Sequence, residues 1–329
     1  MAFSPDGRTV ASGGVGGTVC LWDARTGQGR GRWRAGRGAV SGLAFSPDGR
    51  TLVDQISCQR AAFPYDTIGR AQVWDVRTRR LRWSHPSNGV QEAVALSPDG
   101  QTLAVGAAMT YRLPSSHHAR PGAAGGGGVQ IWDLHTRRLV RQLYAENNPF
   151  YGPTGLQPPL LVDRLRFSPG GGSLVGIALF GGGCGDARFM QRWGIRSGQL
   201  RYVLESLGAG DEDVYAAAYS PSGTLATLHY GGIALWGRAG RLRKELRDGR
   251  GDSPRDRLIG GPNCFCFSPD GRHVAGGGDA VTLWDARTGK IVRRIDPRVR
   301  GAMSLAFSPD GRTLAVGTAD GWLGLWPAP

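Results

Sequence analysis

Short runs of alternating apolar and small or polar residues recur along the chain, and one stretch shows the plan. Residues 40–46 alternate as a half-buried strand does. Pro47-Asp48-Gly49 then turns the chain. Proline presets φ, aspartate tolerates the bridge region, and glycine accepts the positive φ that closes a hairpin. Residues 51–57 make a second strand, 71–74 a third, and 80–83 a fourth beyond a turn over 75–78.

That stretch is one copy of a repeat. An apolar residue followed by Ser-Pro-x-Gly occurs at 3–7, 45–49, 96–100, 167–171, 219–223, 267–271 and 307–311. Each copy leads to a tryptophan: Trp22, Trp74, Trp132, Trp193, Trp236, Trp284 and Trp326. Seven units of four short strands predict an all-β fold, a seven-bladed β-propeller of four-stranded antiparallel blades. The blades are expected over residues 1–36, 37–85, 90–143, 162–205, 214–246, 263–295 and 302–327, forming a single domain over 1–329.

Trp-Asp stands at Trp22-Asp23, Trp74-Asp75, Trp132-Asp133 and Trp284-Asp285. With these dipeptides and its Ser-Pro-Asp-Gly turns, the chain resembles the WD-repeat β-propellers, the turns being typical of bacterial members. The resemblance covers essentially the whole chain. Departures accompany it: Gly194, Gly237 and Pro327 replace the aspartate, and the family's Gly-His dipeptide is absent, with His85 filling its place once. Asp279 and Asp320 survive as turn aspartates before the third strand. The family's His-Asp-Ser/Thr-Trp hydrogen-bond network is therefore expected to be fragmentary, leaving packing around the tryptophans to hold the blades. The chain starts partway into a first strand and stops just after a third, so the first and last blades are expected to be incomplete. The same observation suggests a start upstream of Met1, or the tail of a longer polypeptide.

In an up-and-down blade the turns joining strands one to two and three to four share one end. There every connection is short. Insertions at 58–69, 107–128, 144–161, 181–188 and 247–262 all fall at the other end. Long loops are functional or disordered, so this loop-rich face is the expected binding site. Its candidate partner-binding residues are Phe63, Tyr65, Arg70, Tyr111, Arg112, His117, His118, Tyr144, Phe150, Tyr151 and Arg188. Aromatic rings beside arginines have the composition of interface hot spots. The alternative is that the rings pin their own loops to the propeller body.

Composition changes the picture in one respect. The formal charge is +14, and nearly all of it is arginine, with Lys244 and Lys290 the only lysines. Arginine recurs on the outer strands, among them Arg30, Arg32, Arg82, Arg141, Arg243 and Arg293, drawing a basic belt around the rim. It is either a footprint for a polyanion or a guard against edge-to-edge aggregation.

Other motifs carry less. Arg250-Gly251-Asp252 is a common tripeptide in a chain of this composition, and His117-His118 lacks further spaced ligands. The acidic run Asp211, Glu212 and Asp213 reads as a hydrated turn. Five scattered cysteines indicate neither a disulfide framework nor a zinc site. No catalytic motif is present, and the inner strands read as apolar, with Leu43, Ala44, Val94, Ala95, Ala216, Ala217, Ala218, Leu305 and Ala306. The expectation is a non-catalytic protein-interaction scaffold, cytoplasmic and monomeric, with a protein or peptide partner and no cofactor, metal or membrane contact. The alternatives are a regulatory or sensory propeller of a larger polypeptide, for instance with an upstream kinase or protease domain, and a basic nucleic-acid-binding protein.

Overall fold

The alternating runs pair as their period predicts. The computed structural model describes residues 1–59, 67–87, 93–107, 128–144, 160–182, 185–204, 214–229, 232–237, 240–247, 264–278, 280–295 and 301–329. Their strands form seven antiparallel sheets, six of four strands and one of three, each ordered as in the chain. The first strands of successive sheets touch in a closed ring, the last against the first. This is a seven-bladed propeller, with no helix among the described residues.

Blade one comprises Ala2–Phe3, Thr9–Gly13, Thr18–Asp23 and Gly29–Arg34, and blade two Ala39–Phe45, Thr51–Gln59, Thr67–Asp75 and Leu81–Ser87. Blade three comprises Val94–Leu96, Thr102–Ala107, Gly128–Asp133 and Leu139–Tyr144, and blade four Leu160–Phe167, Ser173–Gly182, Gly185–Gly194 and Leu200–Leu204. Blade five comprises Ala216–Tyr219, Leu225–His229, Gly232–Trp236 and Leu242–Leu246, and blade six Cys264–Phe267, His273–Gly277, Val281–Asp285 and Ile291–Ile295. Blade seven has Ala302–Phe307, Thr313–Thr318 and Leu323–Pro327. The inner strand of blade one is thus two residues long, and blade seven lacks an outer strand.

The repeated tryptophan explains how blades adhere. Trp74 of blade two lies in a buried cluster with Ala11, Val19 and Leu21 of blade one. Trp193 of blade four packs with Val129, Ile131 and Leu143 of blade three. Trp236 and Trp284 meet the preceding blades in the same way. A buried tryptophan removes on the order of 200 Å² from water, worth roughly 5 kcal/mol before entropy. A neutral hydrogen bond nets about 1 kcal/mol. Packing therefore outweighs whatever the indole N–H gains.

In five blades that N–H finds differing acceptors. Ser12, Asp54 and Thr227 stand two residues beyond the tryptophan's cross-strand partner, and they accept from Trp22, Trp74 and Trp236 at 2.8, 2.8 and 2.7 Å. Trp132 donates to Gln130 at 3.2 Å, and Trp284 to the carbonyl of Arg247 at 3.2 Å. In blade six the equivalent position is Gly276, where a Cβ would stand 2.8 Å from the Trp284 ring. The network is fragmentary because the acceptor position is not kept.

The Ser-Pro-x-Gly turns make a second ring. In the Asp-bearing copies the serine hydroxyl donates to the aspartate, as Ser46 does to Asp48 at 2.5 Å, and accepts from the following strand, as from Thr51 N–H at 2.9 Å. Each turn glycine has positive φ, and all but Gly223 lie beside the proline of the preceding blade. A Cβ on Gly49 would meet Pro5 Cδ at 3.5 Å, and one on Gly7 would meet Pro309 at 3.5 Å, so the ring closes from blade seven to blade one. The sequence breaks at Gly223 of blade five, where a Cβ would meet nothing within 4 Å.

Gly100→Ala and Gly223→Ala both force an L-residue to φ of +72 and +85, at a cost of about 1 kcal/mol. Only the Gly100 methyl also strikes Pro47, at 2.7 Å. Urea unfolding should show Gly100→Ala losing about 1–3 kcal/mol more than Gly223→Ala, and equal losses would deny the ring contact any weight.

Asp54 is fully buried, and burial raises its pKa from 3.8 to about 7, only partly offset by the bond from Trp74. Between those values the folded state holds a proton that the unfolded chain has released, so stability falls as pH rises from about 4 to about 7 and is level above. The drop attributable to this group is on the order of 4 kcal/mol. The turn aspartates with lowered pKa act below pH 3.8 and leave this window clear. Asp54→Asn, which keeps an oxygen for Trp74, should flatten the unfolding free energy between pH 4.5 and 7.5 and be the more stable protein at pH 8.

Candidate partner-binding face

Antiparallel order alone places the connections. Those between second and third strands, and from each outer strand to the next blade, emerge at one end of the disc. The short turns occupy the other. The described strands that precede residues 60–66, 88–92, 108–127, 145–159, 183–184, 205–213, 230–231, 248–263, 279 and 296–300 in the chain end at the first end. Phe63, Tyr65, Tyr111, Arg112, His117, His118, Phe150 and Tyr151 fall in these segments and lie outside the described residues, as do Asp279, Arg250-Gly251-Asp252 and the acidic run at 211–213. The strands place Tyr144 opposite Gly128 and Arg188 opposite Leu179, their side chains again being outside the described set.

Two of the insertions differ from loops. In blade two the second and third strands pair out to Gln59 and Thr67, and in blade four to Gly182 and Gly185. Much of 58–69 and 181–188 is therefore ladder. These strands run 9 to 10 residues against 5 in blades five and six, so both hairpins stand about 15 Å taller than those blades. Backbone groups leaving a sheet must find partners, and a continued ladder supplies them.

Arg70 is the one candidate whose side chain is described. It is exposed on the third strand of blade two, and its Nε donates to Ser84 Oγ at 2.8 Å. Beside it lies an aromatic junction that the pattern of inserts does not reveal. His85 stacks on Trp83 at 5.5 Å and 6°. Its ring also lies 4.3 Å from Trp132 of blade three, and its Nε2 hydrogen-bonds Gln130 Oε1 at 3.0 Å. Gln130 Oε1 also accepts from Trp132, so His85 takes part in a tryptophan network across the seam. Burial lowers the His85 pKa, Gln130 opposing it, which favours the neutral imidazole. Trp83, His85 and Trp132 make a half-buried platform across the seam between blades two and three.

The inner strands are not uniformly apolar. Blade four breaks register between Asp163 and Arg166, with Arg164 at φ +47°, and presents half-buried Arg164 and Arg166 on its inner strand. The signal was the run Asp-Arg-Leu-Arg before the turn. Among the described residues no three metal-binding side chains cluster, Cys20, Cys264 and Cys266 form no disulfide, and no helix is long and apolar enough to cross a membrane.

Much of the basic belt is engaged. Arg30 Nη2 meets Asp23 at 2.7 Å, and Arg82 pairs with Asp75. Hydrogen bonds from turn residues lead the causes that hold both carboxyls below the usual range. Other cations bridge blades: Arg79 donates to Arg30 O at 2.9 Å, Lys244 to Arg287 O at 2.8 Å and Arg293 to Pro327 O at 2.9 Å.

Three segments, residues 1–23, 258–285 and 294–327, match the WD domain, G-beta repeat family. Across 96% of its length the chain is 24% identical to the Periodic tryptophan protein 2 homolog of Dictyostelium discoideum and 25% identical to Telomerase protein component 1 of Rattus norvegicus. It spans 31% and 10% of those proteins. Over 59% of its length it is 27% identical to Protein groucho of Drosophila melanogaster, spanning 24% of that protein. The chain is thus similar to the WD repeat in three segments and spans less than a third of each of these relatives.

Proposed function

We propose that this WD-repeat propeller is a non-catalytic protein-interaction scaffold that takes a protein or peptide on its loop-rich face. The observation that supports it best is the crowding of every long connection, and both tall hairpins, onto one end of the disc. A rigid ring with variable loops on one side suits recognition rather than chemistry. Phe63, Tyr65, Arg70, Tyr111, Arg112, His117, His118, Tyr144, Phe150, Tyr151 and Arg188 are the proposed contacts. Arg70, beside the Trp83–His85–Trp132 platform, is the best-placed anchor. We place the protein in the cytoplasm as a monomer, and its bacterial character rests on the Ser-Pro-Asp-Gly turns, since these relatives are eukaryotic.

A second reading has its own support. The chain spans only 31% and 10% of two relatives matched along nearly all of it, which favours a propeller module acting within a larger polypeptide. The nucleic-acid reading is weakened because rim cations such as Arg30, Arg82 and Arg293 are already occupied.

Affinity capture should compare the intact protein with a variant shortened across 107–128 and 144–161, each with and without nuclease. The scaffold reading expects protein partners that survive nuclease and fall at least tenfold with the shortened variant. Partners indifferent to the shortening, or lost with nuclease, would remove it.

A further inference from the structure

The third and outer strands of six blades share one irregularity. The ladder skips a residue opposite the tryptophan, leaving Arg30, Arg82, Val140, Arg201, Arg243 and Val292 unpaired in register in blades one to six. The skipped side chain stands beside the residue that follows the tryptophan. In blades one and two this makes the pairs Arg30–Asp23 and Arg82–Asp75. Blades three and six keep Asp133 and Asp285 but have valine at the skipped position, and each aspartate binds its own turn. Blades four and five keep the arginine and lose the acid: a Cβ on Gly194 would meet Arg201 Nε at 3.0 Å, and one on Gly237 would meet Arg243 Cδ at 3.3 Å. Among the described residues Arg201 and Arg243 have no ion pair.

Blade five has lost its other turn carboxylate too. Its turn reads Ser-Pro-Ser-Gly, and Ser220 Oγ meets Ser222 Oγ at 2.9 Å where five other blades place an aspartate. Beside this turn, on the short-turn end of the seam between blades five and six, lies a cavity of about 420 Å³. Its lining includes Arg243, Lys244, Arg287, Ser220 and Thr224, with Leu235 and Phe267 as apolar wall and, among the described residues, no acidic side chain. Lys244 spends one donor on Arg287 O at 2.8 Å, and an ammonium has three. Two turn acids adjoin the lining in the chain: Asp270 beside Gly271 is held by Ser268 Oγ at 2.6 Å and Arg272 N–H at 3.0 Å, and Asp285 beside Ala286 is held by Thr288 N–H at 2.6 Å and its hydroxyl at 2.8 Å, with the Arg287 charge a smaller influence.

From this we infer that the cavity between blades five and six binds a phosphoryl dianion, with Arg243 as its principal ligand and Lys244, Arg287 and Thr224 around it. A guanidinium presents a fork matched to phosphoryl oxygens, and ammonium and hydroxyl groups complete the shell. The volume is that of a small-ligand site. A nucleic-acid backbone needs a track of cations, whereas here the open cations converge on one concavity. The source is either free phosphate or the phosphorylated side chain of a protein. The site lies opposite the loop-rich face and stands independently of the proposed function.

The test titrates the full chain with inorganic phosphate, O-phosphoserine and a single-stranded DNA oligonucleotide by calorimetry at constant ionic strength. The decisive variant is Gly237→Asp, which restores the carboxylate that four blades carry at this position. Exposed Arg243→Gln is the second variant, and it keeps the test open should the first fail to fold. Phosphate and phosphoserine should bind wild type, more tightly at pH 7.5 than at 5.5 because the second phosphate proton leaves near pH 6. Both variants should weaken binding at least tenfold with Tm unchanged. Tighter binding of phosphoserine supports a protein source and equal binding a free anion. Phosphate binding unaltered in both variants, or binding of the oligonucleotide alone, would overturn the assignment.

Discussion

One tryptophan per blade, laid against the sheet before it, is the contact on which the ring depends. Trp193 and Trp284 are almost wholly buried, at 0% and 2% exposure, each joining its own blade to its neighbour's second, third or outer strand. The indole nitrogen takes a hydroxyl, a carboxyl, an amide or a backbone carbonyl, and the seam survives each exchange. This tolerance follows from magnitude, because the area an indole buries is worth several times one neutral hydrogen bond. Asp54 shows the limit of it: a carboxyl serves as acceptor only by holding its proton to about pH 7.

The same tryptophan organises the short-turn rim. The register skip opposite it turns one outer-strand side chain away from the ladder and toward the residue after the tryptophan. Whether that position is charged, paired or apolar then varies blade by blade without disturbing the sheet. Blades four and five, where the acid is gone, also flank the one seam where the Pro–Gly ring is interrupted, at Gly223. The disc is therefore least uniform in the sector that leaves two arginines uncompensated. Elsewhere arginines such as Arg79 and Arg293 act as inter-blade ties to backbone carbonyls, so part of the charge serves the fold.

Blade count, turn chemistry and the side on which insertions gather were legible along the chain, because each depends on local periods and on glycine and proline geometry. Pro47-Asp48-Gly49 announces a turn in any context, and seven phased tryptophans announce seven sheets. The tall hairpins of blades two and four were read as loops, since Cys58, Gly181 and Gly182 show no alternation. What extends those strands is mutual satisfaction of backbone groups, which leaves no mark on side-chain pattern. Arg164 and Arg166 were passed over because inner strands were read by their commonest residues.

By itself the sequence determined the repeat, the sheet type and the two unlike faces, since these follow from residue properties that act within a few positions. Only the tertiary structure decided which polar groups meet. His85 reaches Gln130 across 45 residues, Arg79 reaches Arg30 O across 49, and the cavity of Arg243 and Lys244 is completed by Arg287 from the next blade. Contacts of that kind depend on blade-to-blade rotation and on one skipped register position, and pairing of strands in space, not order along the chain, sets both.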